Sequence, residues 1–216
     1  RTNFENQKVI MNIKEEYHLV DLGYLKTGVN KFPNIKKYYS TGSIKGKIFT
    51  PEGEYSYENC PSRANREVKE RDVLQARMMS TNKAILINKK LEGSLFSTGF
   101  FQFRPPKELV VPKFLYYFLS SKIFLDQKDN LCEGSTQKAI NDKNLKKIKI
   151  YLPNLSQQQS TVTKLDTLFA DIDRMILSNQ NSIINLNQFF LNQLNSFFLD
   201  NSNNWENTIL GAHYDV

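Results

Sequence analysis

The sequence has little of what marks secreted, membrane-spanning or fibrous proteins. Its two cysteines, Cys60 and Cys132, have no neighbouring cysteine or histidine at ligand spacing, so neither a disulfide framework nor a zinc site is indicated. No apolar run approaches the roughly 18 residues of a membrane-spanning helix, and the N-terminus lacks the apolar region of a signal peptide. With 9 Gly and 7 Pro among 216 residues, the chain is not collagen-like. We expect one or two globular domains in a reducing cytoplasm.

Signatures of catalysis are also scarce. The chain has neither a GxxxxGK[ST] loop nor the glycine-rich loop and Pro-Pro-aromatic motif of a DNA methyltransferase. Its two histidines, His18 and His213, lie at opposite ends with no motif around them. The tripeptides Glu67-Val-Lys69 and Asp126-Gln-Lys128 imitate part of a metal-dependent nuclease, which stays open as one alternative. We therefore predict no catalytic residue, no metal site and no cofactor bound by this chain.

Charge is distributed unevenly along the sequence. Of 29 Lys and Arg and 22 Asp and Glu, residues 156–216 hold two cations and six acids, a net charge of −4. Residues 1–155 then hold 27 cations and 16 acids, a net charge of +11. General solubility is the plainer interpretation, but an excess of this size is typical of a body that meets a polyanion such as nucleic acid.

The first 155 residues alternate short β-rich runs with turn residues. Between two of these runs, Pro112–Phe124 has apolar residues at helical spacing and is expected to pack on a sheet. The pattern predicts a mixed α/β (α+β) domain that ends near Pro153. The predicted strands are Lys47–Thr50, Val73–Arg77, Ala84–Asn88, Leu95–Arg104 and Lys147–Leu152.

A long helix follows this domain. Neither glycine nor proline interrupts residues 156–200, which predicts a helix roughly 65 Å long, and Ser156 with Gln159 has the spacing of a capping box at its start. Apolar residues recur in a seven-residue frame, a stripe that is expected to need a second helix to cover it, with polar positions in the stripe fixing the register. A long surface helix packed on its own domain is the alternative. The stripe has Val162, Phe169, Ile176, Ile183, Phe190 and Phe197 at one core position and Leu165, Ile172, Asn179, Leu186 and Gln193 at the other.

Four segments of the basic part combine cations with hydroxyl and amide side chains, the groups that hold phosphates and read base edges. Any one of them is equally explained as a solvated loop, but four together predict a DNA-binding surface, with Tyr38 and Tyr39 as aromatic contacts to a groove. The candidate residues are Lys36, Lys37, Tyr39, Ser40, Thr41, Ser43, Lys45 and Lys47; Arg63, Arg66, Lys69 and Arg71; Arg77, Ser80, Thr81, Asn82 and Lys83; and Gly134, Ser135, Thr136, Gln137 and Lys138.

The two ends of the chain share a short pattern. An aromatic residue precedes Leu-Gly by five positions in Tyr17–Gly23 and again in Trp205–Gly211, at a constant offset of 188. That offset corresponds to one α/β domain plus one long helix, so Trp205 is interpreted as the opening of a second copy of the same unit; chance similarity is the alternative.

Several short segments are individually degenerate but specific in their order and spacing. They are Tyr39–Ile44, Asp72–Leu74 with Arg77, Ser97–Phe100, Phe103–Pro105, Phe114–Leu119, Gly134–Gln137, Leu145–Ile148, Leu152–Pro153, and Gln157–Gln159 with Val162 and Leu165–Asp166. In these segments the chain resembles half of a specificity subunit of bacterial type I restriction-modification systems.

The resemblance implies a target recognition domain at residues 17–153 after an N-terminal extension at 1–16. It implies a helical spacer at 156–200, followed at 201–216 by a second repeat or a tail. Such a subunit is non-catalytic and reads one half of a bipartite double-stranded DNA target, while its spacer helices pair antiparallel. It directs methyltransferase subunits that carry S-adenosylmethionine and modify adenine N6, and in a full complex also a restriction subunit.

Family members usually carry two recognition domains, and only one is visible here. The chain is therefore expected to be a half-subunit that dimerises, a fragment of a longer polypeptide, or part of a fusion with an upstream methyltransferase domain. The residues by themselves leave another alternative, a coiled-coil interaction module whose basic domain binds protein or RNA.

Overall fold

A computed structural model describes residues 15–26, 28–46 and 48–199. Contacts along the chain divide it into two compact units, residues 1–164 and 165–216. The predicted mixed α+β domain followed by a long helix is confirmed.

Twelve strands and four helices are described. The predictions for residues 1–14, for Lys47 and for the repeat that Trp205 opens lie outside the described residues. The strands are β1 (Glu15–His18), β2 (Tyr24–Leu25), β3 (Lys36–Tyr39), β4 (Ile44–Lys45), β5 (Ile48–Phe49), β6 (Gly53–Tyr55), β7 (Ala64–Glu67), β8 (Val73–Ala76), β9 (Ala84–Leu86), β10 (Leu95–Ser97), β11 (Phe100–Phe103) and β12 (Lys149–Leu152). The helices are α1 (Pro112–Ser120), α2 (Lys122–Asn130), α3 (Asp142–Leu145) and α4 (Leu155–Leu199), and a 3-10 turn spans Leu19–Asp21.

Two four-stranded sheets form the centre of the first unit. One has the order β6-β3-β10-β7, with β3 and β10 parallel, and the other has the antiparallel order β2-β11-β8-β9. Two-stranded pairings join β1 to β12 and β4 to β5. Every residue of β8, β10 and β11 is buried, as expected for short apolar runs covered on both faces.

Helices α1 and α2 build the largest core cluster together with the second sheet. Phe101 and Phe103 of β11, Leu115 and Leu119 of α1 and Phe124 of α2 are all fully buried in it. Burying one such side chain contributes about 1.5–3 kcal/mol, so this cluster accounts for much of the unit's stability.

Two predicted elements are divided in the structure. The run Leu95–Arg104 turns at Thr98 and Gly99, which separates β10 in one sheet from β11 in the other. The predicted helix Pro112–Phe124 stops at Ser121, which is extended (φ −78°, ψ 151°) and whose hydroxyl accepts a hydrogen bond from the amide of Phe124 at 3.3 Å. Ser121 thus caps a second helix, as serine does at helix N-termini.

The capping box at the start of the long helix lies two residues before the predicted one. Asn154 Oδ1 accepts from the amide of Gln157 at 2.9 Å, and Gln157 Oε1 accepts from the amide of Asn154 at 3.3 Å. This reciprocal pair is the capping box, so its assignment to Ser156 and Gln159 is wrong. The side chain of Gln158, the residue after the capping box, is fully buried.

The second unit is described through the remainder of α4, residues 165–199. Many large apolar side chains of this stretch are exposed, far more than is usual for a soluble monomer. None of the described helices combines the length and apolar character needed to cross a bilayer.

Candidate nucleic-acid interface

Loops from both four-stranded sheets of the first unit meet at one end of the strands. Because β3 and β10 are parallel, the turns that follow them leave the sheet at the same edge, and antiparallel β7 begins there after Arg63. In the second sheet Ala76 pairs with Phe100 and Gln75 with Ala84, which brings the β8–β9 loop to the β10–β11 turn. We call this surface the loop edge. It comprises residues 40–45, 63, 77–83, 97–99 and, through a backbone contact, 134–138.

The turn after β3 is closed locally and tied to the β8–β9 loop. Ser40 Oγ accepts hydrogen bonds from the backbone amides two and three residues later, at 3.1 and 3.3 Å. Lys83 Nζ donates to the carbonyl of Thr41 at 2.6 Å and to that of Ile44 at 2.9 Å. Lys83 was predicted to contact DNA, but in the structure its ammonium links two loops of the loop edge.

Two further contacts complete this surface. A Cβ on Gly99 would lie 3.0 Å from Thr41 Cγ2 and 3.7 Å from Arg63 Nη2, so both side chains flank this glycine. The amide of Met79 donates to the carbonyl of Lys138 at 2.9 Å, which joins the 134–138 segment to the β8–β9 loop. The four predicted segments therefore each contribute residues to one surface.

Solvent-exposed polar side chains of several kinds occupy the loop edge. Its cations can hold phosphates, and its hydroxyl and amide groups can donate to phosphates or base edges. Asn82 is partly committed, since its Nδ2 donates to the carbonyl of Ser120 at 3.2 Å. The exposed predicted residues are Lys45, Arg63, Ser80, Asn82, Ser135, Thr136, Gln137 and Lys138, with Thr41, Ser43 and Thr81 partly exposed.

The guanidinium of Arg77, also predicted to contact DNA, is held within the domain. Nη1 donates to Asp142 Oδ1 at 2.6 Å, Nη2 donates to Tyr24 Oη at 3.0 Å, and the group lies 4.4 Å from the ring centroid of Phe101. Burial acts to raise the pKa of the Asp142 carboxyl, but hydrogen bonds from Arg77 and Tyr24 lower it below its ordinary value. Arg77 therefore fixes the point where β8 continues into the loop edge.

Three predicted contact residues lie in the core. Side chains of β7 alternate between faces, and Arg66 falls on the buried face, where Nη1 donates to the carbonyl of Leu25 at 3.1 Å and burial lowers the pKa of its guanidinium. Tyr39 stacks on Phe96 with ring centroids 5.1 Å apart, and Tyr38 is 4% exposed. The structure thus corrects the prediction that these tyrosines face a DNA groove.

Other predicted cations lie away from the loop edge. Lys36 is the first residue of β3, and its ammonium is 2.5 Å from the Glu67 carboxylate, so Glu67 of the nuclease-like tripeptide is committed to an ion pair. Lys37 is 4.0 Å from a carboxylate of the neighbouring strand. Lys69 and Arg71 lie in the turn before β8, at the opposite end of that strand from Arg77.

Two residues of α2, Lys128 and Asp129, support the loop edge from below, a role that the sequence did not predict for either; Lys128 was named only as part of the nuclease-like tripeptide that begins at Asp126. Lys128 is fully buried, and its Nζ donates to the carbonyls of Met78 at 2.6 Å and Thr81 at 3.0 Å. Both carboxylate oxygens of Asp129 accept from the amide of Ser80 at 3.1 Å. Nothing in the local sequence of α2 distinguishes these two residues from a solvated Lys-Asp pair.

The predicted coiled-coil residues differ in their exposure. Val162 is 4% exposed and belongs to the core of the first unit, so it is not at a surface open to a partner helix. Leu165 is partly exposed and Asn179 exposed. Gln193 is exposed. The remaining apolar residues of the stripe, with 48–67% of their surface exposed, are Phe169, Ile172, Ile176, Ile183, Leu186, Phe190 and Phe197.

Comparisons with known proteins show which family and which solved structures this chain resembles. Residues 9–195 match the family described as the type I restriction modification DNA specificity domain. The HsdS subunit from Thermoanaerobacter tengcongensis is similar in structure, with a TM-score of 0.62 and 25% identity over 74% of this chain and 43% of that one. A chain from a study of complex assembly and conformational transition of the type I R-M system has a TM-score of 0.68 and 24% identity, over 83% of this chain and 49% of that one.

The chain thus spans less than half the length of these two structures. No curated protein matches it at a significant level.

Proposed function

We propose, because the chain belongs to the family of type I restriction modification DNA specificity domains, that its first unit reads a short sequence on double-stranded DNA. The family match over residues 9–195 is the observation that carries this proposal. The net charge of +11 in residues 1–155 supports it, because attraction to phosphates supplies much of the affinity for nucleic acid. The loop edge is the proposed contact surface.

Within the loop edge we divide the work between phosphate contacts and base contacts. The exposed ammonium groups of Lys45 and Lys138 are proposed to hold phosphates. Arg63 and Gln137 are proposed to read base edges, since guanidinium and amide groups form bidentate pairs with guanine and adenine. Arg77 and Lys83 act as positioning residues, because their charged groups already have protein partners.

The exposed stripe of α4 is proposed to pair with a second copy of this helix, or with the helix of a second repeat, so that two recognition domains read a bipartite target. A 45-residue helix is about 67 Å long, and one turn of B-DNA about 34 Å, so a helix pair can hold two readers on separate half-sites. The exposure of apolar side chains that recur every seven residues supports this pairing, because a second helix with the same stripe would bury them.

We assign the catalytic steps to partner subunits and not to this chain. We propose that the chain directs methyltransferase subunits, which bind S-adenosylmethionine and modify adenine N6, and in a full complex a restriction subunit, within the bacterial cytoplasm at the nucleoid. An upstream methyltransferase domain fused to this chain would serve the same role. The type I R-M assembly to which the chain is structurally similar supports such an association.

Selection from a pool of random duplex DNA tests the recognition step. The purified chain is expected to enrich a motif, and three specified base pairs at about 1–3 kcal/mol each predict at least a roughly hundredfold preference over unselected duplex. Lys45→Ala and Lys138→Ala should each lower the slope of log affinity against log salt by about 0.9, whereas Lys69→Ala, away from the loop edge, should leave it unchanged. Equal binding to duplex, RNA and random sequence would refute sequence recognition.

The mass of the chain in solution tests the pairing step. Light scattering is expected to give twice 25.1 kDa for a self-pairing chain, and the monomer mass after Ile176→Asp with Ile183→Asp. The matched control, Asn181→Asp with Gln188→Asp, adds the same charge on the opposite face of the helix and should preserve the dimer. A monomer at high concentration would assign the partner helix to another polypeptide.

A further inference from the structure

The β8–β9 loop of the loop edge is fixed by charged groups from beneath. The ammonium of Lys128 has no exposed surface and binds two carbonyls of the loop, those of Met78 and Thr81, as well as Asp129 Oδ1 at 3.1 Å. Asp129 binds the amide of Ser80 through both oxygens. Lysine is almost never fully buried unless it is paired, so the position of this loop is specified by groups that are costly to bury.

The backbone of the same loop is strained. Ser80 has a φ of +56°, a left-handed conformation that costs residues other than glycine about 1–2 kcal/mol. Such conformations persist where the surrounding structure enforces them, and they concentrate at ligand-binding sites. Here Lys128 and Asp129 supply the enforcing contacts.

The loop presents two large apolar side chains to solvent. Met78 and Met79 are 37% and 39% exposed. The carbonyls of both residues and the amide of Met79 are hydrogen-bonded within the protein. Among the described residues up to residue 164, no other two exposed large apolar side chains are neighbours in the sequence. An apolar pair on a basic, polar surface has nothing to gain from a phosphate, but it can gain from an apolar group on a base.

We propose that Met78 and Met79 read the 5-methyl group of thymine in the major groove, and that Lys128 and Asp129 are the positioning residues that hold them there. The thymine methyl is the apolar group on the major-groove edge of the base pairs, and contact with apolar side chains is one way in which it is read. Methionine is flexible and polarizable, which suits contact with a methyl group. The inference rests on the proposed function, namely that the loop edge meets duplex DNA.

Replacing thymine by deoxyuridine removes only this methyl group and is the first test. The probe is the duplex selected by the wild-type chain from the random pool, with each thymine replaced in turn. At one or two positions the affinity should fall roughly fourfold, the value of burying one methyl group. Met78→Ala or Met79→Ala should bind the thymine and deoxyuridine duplexes equally at such a position. The matched control, Ile35→Ala, removes an exposed apolar side chain at the other end of β3 and should retain the fourfold difference.

Lys128→Met tests the positioning role, since methionine has a similar length and no charge. The variant should lose the fourfold discrimination while the salt slope stays unchanged, because a fully buried ammonium contacts no phosphate. Asp129→Asn keeps one oxygen acceptor for Ser80 and is the milder variant if Lys128→Met fails to fold. It should lose part of the discrimination.

The outcomes separate this inference from the function on which it rests. If the wild-type chain selects no sequence, the proposed function fails. If it selects a motif but no deoxyuridine substitution weakens binding, or if the Met78 and Met79 variants still discriminate, DNA recognition stands and the methionine contact is overturned. A salt slope reduced by about 0.9 in Lys128→Met would replace the positioning role with a phosphate contact.

Discussion

Gln158→Met should destabilise the first unit although it changes neither the length nor the helix propensity of the side chain by much. Gln158 is fully buried one turn into α4 and makes three hydrogen bonds. Its Oε1 accepts from the amide of Val111 at 2.8 Å, and its Nε2 donates to the carbonyls of Pro153 at 2.9 Å and Leu109 at 3.0 Å. These bonds join the start of the long helix to the start of α1.

The size of the effect follows from the groups left behind. Methionine fills nearly the same volume, so the cavity term is small, but one amide and two carbonyls lose their buried partner. A buried polar group left unsatisfied costs about 1–3 kcal/mol, and the three together are expected to lower the free energy of unfolding by about 3 kcal/mol.

Urea unfolding followed by circular dichroism measures this loss. With a slope of about 2 kcal/mol per molar urea, the midpoint should fall by roughly 1.5 M. Gln159→Met, at the exposed neighbouring position, should stay within about 0.5 kcal/mol of the wild type. If Gln158→Met lowers the free energy of unfolding by less than about 1 kcal/mol, the conclusion that this side chain attaches the start of α4 to the first unit is refuted.

Three other perturbations have defined outcomes. Asp72→Ala removes a fully buried carboxylate that accepts hydrogen bonds from Arg104 Nε and Nη2 at 2.8 and 2.7 Å. It should lower the free energy of unfolding, measured in urea, by about 3 kcal/mol. A loss under about 1 kcal/mol would contradict the structural role of Asp72. Because the folded pKa of Asp142 is lowered, its contribution to stability is complete above the unfolded pKa of about 3.9 and is lost as the pH falls below it. The stability difference between wild type and Asp142→Asn should therefore shrink below about pH 4, and a constant difference would exclude the linkage. Gly23→Ala places a Cβ 2.1 Å from the carbonyl oxygen of Arg104, so its melting temperature should fall well below that of Gly93→Ala, which has a similar φ but open space; equal losses would count against the close approach.

The sequence predicted elements whose signal is local. β8 and β11 are mostly apolar, each with one glutamine (Gln75 and Gln102), and their burial on both faces follows from that apolar composition. The sequence did not predict β3, β6 and β7. These strands are short and contain polar residues, such as Lys36 and Lys37 of β3, and they pair with strands distant in the sequence. The start of α4 shows the same limit. Asn154 with Gln157 and Ser156 with Gln159 both have the spacing of a capping box, so spacing does not distinguish them. In the structure the capping box is formed by Asn154 and Gln157, and the next residue, Gln158, is buried.

For the candidate site, the sequence predicted which segments meet at one surface better than it predicted which of their side chains are exposed there. Four segments were selected by composition, and each contributes to the loop edge, because polar loops at strand ends remain exposed. Which side chains turn inward depends on long-range partners: Arg66 falls on the buried face of β7, and Arg77 meets an acid 65 positions away. The burial of Lys128 has no local signal either, since the tripeptide that contains it suggested a nuclease site and not a support for the β8–β9 loop.

The pairing of β1 with β12 has a consequence for how such a unit is inherited. Glu15 lies opposite Leu152 and His18 opposite Lys149, so the chain enters and leaves the β-rich body at adjacent points on one short ribbon. None of the loop-edge residues belongs to this ribbon. A body with neighbouring entry and exit points behaves as a cassette, because closely spaced termini favour insertion and permutation. Under the proposed function, exchange of residues 19–148 for another body closed by the same ribbon is expected to change the DNA sequence that is recognised while leaving the exposed part of the α4 stripe, beyond Val162, unchanged.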